Sequence, residues 1–194
     1  MSVSDSHLTD RLNQILPRIT SPDLLASRGI GNEIAFYIFD YPAEAELRVR
    51  EHIDFLLEQI PRHHPDLRVS HINLLELVTG HLQQRKLLDK AIQMGREKGE
   101  QRMLAQLSKV LDPEKLRPVF TEAARPEEHD LVLVSRVGSV YPMLRAHTLL
   151  NNLHAVMGDT PLVLFYPGRY DGQSLRLFGK LRNDNYYRAF KLIP

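Results

Sequence analysis

Apolar positions along the 194-residue chain change their period several times. Over residues 6–26, Leu8, Leu12, Ile15, Leu16 and Ile19 recur at helical spacing, and Pro17 interrupts them, so two short helical pieces are predicted. The run IAFYIFDY, residues 34–41, is continuously apolar and aromatic and short enough for a strand buried on both faces. Pro42 then opens a helix whose first turn holds Glu44 and Glu46 and whose apolar face is Leu47, Ile53, Phe55, Leu56, Leu57 and Ile60; Pro61 is expected to end it.

A second strand is expected over LRVSHINLLELV, residues 67–78, with Val69, His71 and Asn73 interleaved among its apolar residues. From 81 to 111, Leu88, Ile92, Gly95, Gly99, Met103, Leu107 and Val110 step by three or four, which predicts one long helix in the middle of the chain. Gly95 and Gly99 weaken such a helix by about 1 kcal/mol each relative to Ala, a cost that implies close approach of another element. DPEKL, residues 112–116, begins a further helix with Asp112 as N-cap and Pro113 in its first position.

The C-terminal third alternates strand HDLVLVSRV (129–137), helix YPMLRAHTLLNNLHAVM (141–157) and strand TPLVLFYPG (160–168), with closing strands in SLRLFGKL (174–181) and YYRAFKLIP (186–194). Strands alternating with helices pair in parallel through right-handed crossovers. The expected fold class is α/β, a three-layer sandwich with a mainly parallel central sheet. One domain spanning 1–194 is expected, residues 1–28 forming its helical lead-in.

Composition narrows the chemistry. Hydrophobic residues make up 43% and charged residues 25%, which disfavours disorder. No cysteine is present, excluding disulfides, thiolate metal sites and a cysteine nucleophile. No apolar run approaches the roughly 18 residues of a membrane span and no leader pattern is visible, so a cytoplasmic location without membrane contact is expected. The net charge of +1 is unevenly spread: residues 161–194 carry six Arg or Lys against two Asp.

In a parallel sheet, ligands gather at the carboxyl ends of the strands. Three loops therefore matter: DYP with Asp40; SRVGSVYP with Gly138, Ser139 and Tyr141, followed by Arg145; and YPGRYDGQS with Arg169, Tyr170, Asp171 and Gln173, followed by Arg176. The Gly138 turn matches neither dinucleotide nor P-loop spacing, and is expected to join a strand to a helix capped by Ser139. Gly138 and Ser139 could alternatively offer backbone donors to an anion. Asp40 ends its strand as a magnesium-holding acid does in many NTPases, but no phosphate loop precedes it, and the simpler reading is a turn-former or helix cap.

Nine histidines show no H-E-x-x-H or comparable spacing, so no metal is expected, and His71, His147 and His154 are expected beside core or surface polar partners. Ser139 and Ser174 lack a nucleophile-elbow context, leaving no catalytic residue to name. No cofactor is expected either. In the basic tail, Arg169, Arg176, Lys180, Arg182, Arg188 and Lys191 interleave with Tyr166, Tyr170, Phe178, Tyr186, Tyr187 and Phe190. That mixture suits core packing, a protein interface, or weak nucleic-acid binding.

The segments GIGNEIAFYIFDYPAEAELRVREHI, LLDKAIQMGREKG and VGSVYPMLRAHTLLNNLHAVMGDTPLVLFYPGRYDGQSLRLFGKLRNDNYYRAFKLIP resemble the BrxB family of the BREX bacteriophage-resistance systems. The resemblance runs from about residue 8 to the end. It implies membership of a multi-gene defence system that includes a PglZ-type protein of alkaline-phosphatase fold, an adenine-specific DNA methyltransferase and a large ATPase. It supplies no catalytic residue. Other BREX proteins, the PglZ-type component first, are the implied partners. An interaction or scaffold subunit without chemistry of its own is the leading expectation; a degenerate NTPase-like or nucleic-acid-binding domain is the alternative.

Overall fold

Three mainly apolar segments supply the centre of the molecule, because strands buried on both faces disfavour polar side chains away from their ends. The computed structural model describes residues 3–26, 35–144, 146–179, 181–182 and 189–194. β1 (Phe36–Tyr41) and β3 (Leu131–Ser135) are buried throughout, and β4 (Leu162–Tyr170) is buried over its first six residues. β1 lies parallel to β4 with Phe36 opposite Leu162 and Asp40 opposite Tyr166. β3 is parallel to the other edge of β4, and β2 (Val69–Asn73) is parallel to β3. The order is β2-β3-β4-β1-β7, where β7 is Phe190–Lys191. Beyond the sheet β4 turns back into antiparallel β5 (Leu175–Leu177), which pairs with β6 (Leu181–Arg182).

Alternation along these strands feeds two cores. Tyr37, Phe39, Tyr41, Leu133, Val163 and Phe165 face one side with α1 (Val3–Asn13), α2 (Ile15–Ile19), α3 (Pro22–Leu25) and α4 (Glu46–His63). Phe36, Ile38, Val132, Val134, Leu162 and Leu164 face the other, with α5 (Leu74–Gln84), α7 (Glu100–Val110), α8 (Pro113–Ala124) and α9 (Ala146–Met157). This is the expected three-layer α/β sandwich. Fully buried chains such as Phe39, Phe165 and Phe120 each stabilise it by about 1.5–3 kcal/mol relative to exposure.

The helical lead-in breaks as predicted. Pro17 lacks the N–H that would bond to Asn13, and α1 ends at that residue, with α2 following after Gln14. Pro61, by contrast, does not end α4. The helix continues to His63 because only its last turn is affected, and His64 N–H still donates to the Ile60 carbonyl at 2.8 Å.

The second strand is shorter than the apolar run 67–78. Asn73 ends it and caps α5, its side-chain oxygen accepting from Leu75 N–H at 3.1 Å and Glu76 N–H at 3.3 Å. A local cap thus overrides a continuous apolar pattern. Asp112 and Pro113 start α8 as expected, Asp112 accepting from Glu114 N–H at 3.0 Å.

The single long helix over 81–111 is corrected to three pieces. After α5, α6 (Leu88–Lys98) and α7 fold back on one another through Gly99, whose φ of 86° and ψ of 159° put it in a region open essentially to glycine alone. The close approach expected at Gly95 is real but comes from the same hairpin. A Cβ there would stand 2.9 Å from Met103 Sδ.

Candidate functional site

At the carboxyl ends of β1 and β3, the two strands that flank β4, the chain departs to opposite faces of the sheet. β1 leaves through Pro42 and a short 3-10 turn into α4 on one face; β3, on the far side of β4, leads to α9 on the other. Such a switch point opens a crevice where α/β sheets hold ligands. Here it is a cleft of about 400 Å³ lined by Arg11, Asp40, Glu44, Gly168, Arg169 and Phe178, among others.

Asp40 sits at its floor, 8% exposed. It is neither a helix cap nor a turn-former. Arg11 of α1 donates to Asp40 Oδ1 at 2.7 Å and to the Asp40 carbonyl at 2.8 Å, and Tyr170 N–H donates to Oδ2 at 3.0 Å. Both carboxylate oxygens are therefore held by protein donors, which joins α1, β1 and β4 at one point. The same guanidinium lies 4.8 Å from the Phe39 ring centre and reaches the Ile193 carbonyl at 3.4 Å.

Gly138 forms a 3-10 turn, residues Gly138–Val140, and does not lead directly into a helix. Its missing side chain has a packing cause: a Cβ would meet Pro167 Cγ at 2.8 Å and Phe178 Cε1 at 2.9 Å. Ser139 does not cap α9, which begins at Ala146, and its N–H bonds to the Arg136 carbonyl at 3.1 Å. Tyr141 is half-buried and meets Phe178 edge-on, ring centres 6.2 Å apart. Arg145 lies outside the described residues.

The third loop divides by burial. Tyr170 is fully buried, and its hydroxyl donates to the Ala189 carbonyl at 2.7 Å, so it anchors the hairpin and offers no docking surface. Arg169 is exposed at the cleft rim. Asp171, Gln173 and Arg176 surround the hairpin turn outside the cleft. Asp171 accepts from Ser174 N–H at 2.7 Å, Ser174 Oγ at 2.8 Å and Gln173 N–H at 3.0 Å, and these donors pull its carboxyl down to about 2. Arg176 stands 3.9 Å away. Gly168 is required by the backbone, since a Cβ would fall 2.2 Å from the Arg176 carbonyl oxygen.

Sequence reading missed Arg11, one charged residue among several on a helix, because its partner lies 29 positions away. It also missed the pair Tyr41 and Glu46: the buried Tyr41 hydroxyl donates to Glu46 Oε2 at 2.7 Å. Burial first, and then the Glu46 charge, push that hydroxyl far above its ordinary value and keep it a donor. Phe178 was legible only as one of the tail aromatics; its φ of 54° and 39% exposure turn its ring toward the cleft rim. His71 finds the polar partner expected of it, Ser135 Oγ at 2.9 Å, and burial lowers its pKa. Among the described residues no group of three or more His, Asp or Glu is arranged to hold a metal ion, and no helix is long and apolar enough to cross a membrane.

Comparison with known proteins supplies what the geometry does not. Residues 70–192 match the family described as BREX protein BrxB. A BREX protein BrxB from Bacillus cereus (strain H3081.97) is 40% identical over 190 residues, covering 96% of this chain and 97% of the relative. One from Escherichia coli O9:H4 (strain HS) is 36% identical over 190 residues, covering 98% and 94%. No solved structure matches.

Proposed function

The chain belongs to the BrxB family, and from that membership we propose that it serves a BREX phage-defence system as an interaction subunit without chemistry of its own, docking onto the PglZ-type component. The observation that carries this reading is the β4–β5 hairpin. It presents Arg169, Arg176 and Phe178 at the surface while its backbone is tied to the core through the Asp40–Tyr170 hydrogen bond. Arginine and aromatic groups on a rigid support are the usual anchors of protein interfaces, because ordering them costs little further entropy. Asp40, the acid best placed for chemistry at the switch point, already has both oxygens hydrogen-bonded to the protein.

The test is co-purification with the PglZ-type protein from cells expressing the defence cluster, comparing Arg169→Glu and Arg176→Glu with Lys90→Glu on the α6–α7 hairpin. Loss of the partner in the first two, with unchanged melting temperature, supports the reading. Normal capture by both hairpin variants, or equal loss in Lys90→Glu, removes it.

A further inference from the structure

The α6–α7 hairpin differs from the rest of the chain in charge and in composition. Residues 85–110 hold seven Lys or Arg against three Asp or Glu, a net +4 in a chain whose total is +1. No Phe, Tyr or Trp occurs between Phe55 and Phe120. α6 buries no residue and α7 buries only Leu107, so most of these cations stand in solvent.

On α7 the charge gathers on one face. Met103, Leu107 and Val110 pack toward the core. Arg102, Ala105, Gln106 and Lys109, at the spacing i, i+3, i+4 and i+7, are exposed. Glu100 precedes this face and Asp112 and Glu114 follow it, but no acidic residue occurs from 101 to 111. Past the end of the helix, Lys115 Nζ donates to the Lys109 carbonyl at 2.7 Å and adds a third cation at that end. Among the described residues, Arg102, Lys109 and Lys115 enter no ion pair.

Unpaired cations on a helix held by the core attract a polyanion, and the side chains around them decide which kind. Protein partners are gripped through aromatic or large apolar anchors, and unpaired bases through stacking on rings. The α7 face has neither; Ile92, the exposed large apolar side chain of the hairpin, belongs to α6. A double helix needs neither, because its bases stay covered and its phosphates accept hydrogen bonds from Arg, Lys and Gln. We infer that the outer face of α7 binds the phosphate backbone of duplex nucleic acid. Arg102 and Lys109, about 10.5 Å apart along the helix axis, engage separate phosphates, and Lys115 adds a contact beside Lys109. Ala105 between them leaves room for close approach. The face shares no residue with the β4–β5 hairpin, so this inference and the docking reading stand or fall separately.

The probe is a fluorescein-labelled DNA duplex of about 20 base pairs, followed by anisotropy with the full chain from low to physiological salt. Binding should weaken with salt at a slope of about −2.7, roughly −0.9 for each of three neutralised phosphates. Arg102→Ala and Lys109→Ala should each make that slope shallower by about 0.9, while Arg102→Lys, which keeps the charge, leaves it unchanged. Arg62→Ala, on α4 across the sheet, should change nothing. These side chains are exposed, and an unchanged melting temperature verifies that the variants fold. An RNA duplex measured in parallel tells which double helix binds better, and binding of either supports the phosphate contact. The inference is overturned by no binding at low salt, by binding that ignores both alanine variants, or by an equal effect of Arg62→Ala. It is also overturned by equal affinity for a single strand of the same length, or by equally good displacement with oligoglutamate, which would mark an acidic protein segment as the occupant.

Discussion

The Arg11 guanidinium and the Asp40 carboxylate meet at 2.7 Å with their side chains 14% and 11% exposed. This contact ties the helical lead-in to the carboxyl edge of the sheet, and Tyr170 N–H shares the same carboxylate. Asp40→Ala leaves a buried guanidinium without its counter-charge and removes the carboxylate oxygen to which Tyr170 N–H donates. The expected loss is about 3 kcal/mol of unfolding free energy, the usual cost of removing one partner from a buried pair. Asp40→Asn, which retains an acceptor, should lose less. Urea unfolding of both variants checks the order; equal stability of Asp40→Ala and the parent would show that the contact is not stabilising.

Gly138 and Phe178 are coupled by contact. Gly138→Ala should cost about 1–3 kcal/mol through overpacking against Phe178 and Pro167. In a Phe178→Ala background one of the two obstructions is gone, so the cost should shrink. A double-mutant cycle read by chemical denaturation should give a coupling outside the roughly 0.3–0.5 kcal/mol scatter of independent sites.

The two glycines of the α6–α7 hairpin should respond differently. Gly99→Ala forces an L-residue into a backbone region it rarely adopts and should destabilise by about 1–3 kcal/mol. Gly95→Ala meets Met103 Sδ, near the end of a flexible chain that can swing aside, and gains about 1 kcal/mol of helix propensity, so a net effect near zero is expected. Thermal unfolding followed by circular dichroism separates them. Equal losses at both sites would contradict the hinge at Gly99.

The Asp171 turn should loosen in acid. Its carboxyl is held down to about 2 by Ser174 N–H, then Ser174 Oγ, then Gln173 N–H. A folded-state value below the unfolded one of about 3.9 means stabilisation fully present above that value and lost as pH falls through about 2. The carboxyl carbon resonance of Asp171 should titrate near 2, and Ser174→Ala should raise that midpoint toward the ordinary carboxylate value. A midpoint near 4 in the parent would refute the turn geometry.

Much of the fold was legible because its causes are local. The apolar runs in 34–41 and 129–137 were legible as strands of a covered sheet, and Phe36–Tyr41 and Leu131–Ser135 are the strands found there. Asp112–Pro113 announced a helix start through its own N-cap chemistry. The interruption at Pro17 followed from one missing N–H. The continuous step of three and four over 81–111 misled, because period cannot distinguish one helix from two that fold back at a glycine. The apolar run 67–78 misled for a similar reason: Asn73 changes the backbone direction without interrupting the hydrophobicity.

The candidate site was legible only as a set of loops. Periodicity by itself determined the layers and the mainly parallel pairing, because these depend on side chains at fixed short spacing. Tertiary structure alone decided that Asp40 answers to Arg11 and Tyr170, that Gly138 yields space to Phe178, and that Tyr170 is buried while its neighbour Arg169 is exposed. Those outcomes join positions 29, 130 and 40 residues apart, and contacts across such separations are set by strand order and register, which local pattern does not encode.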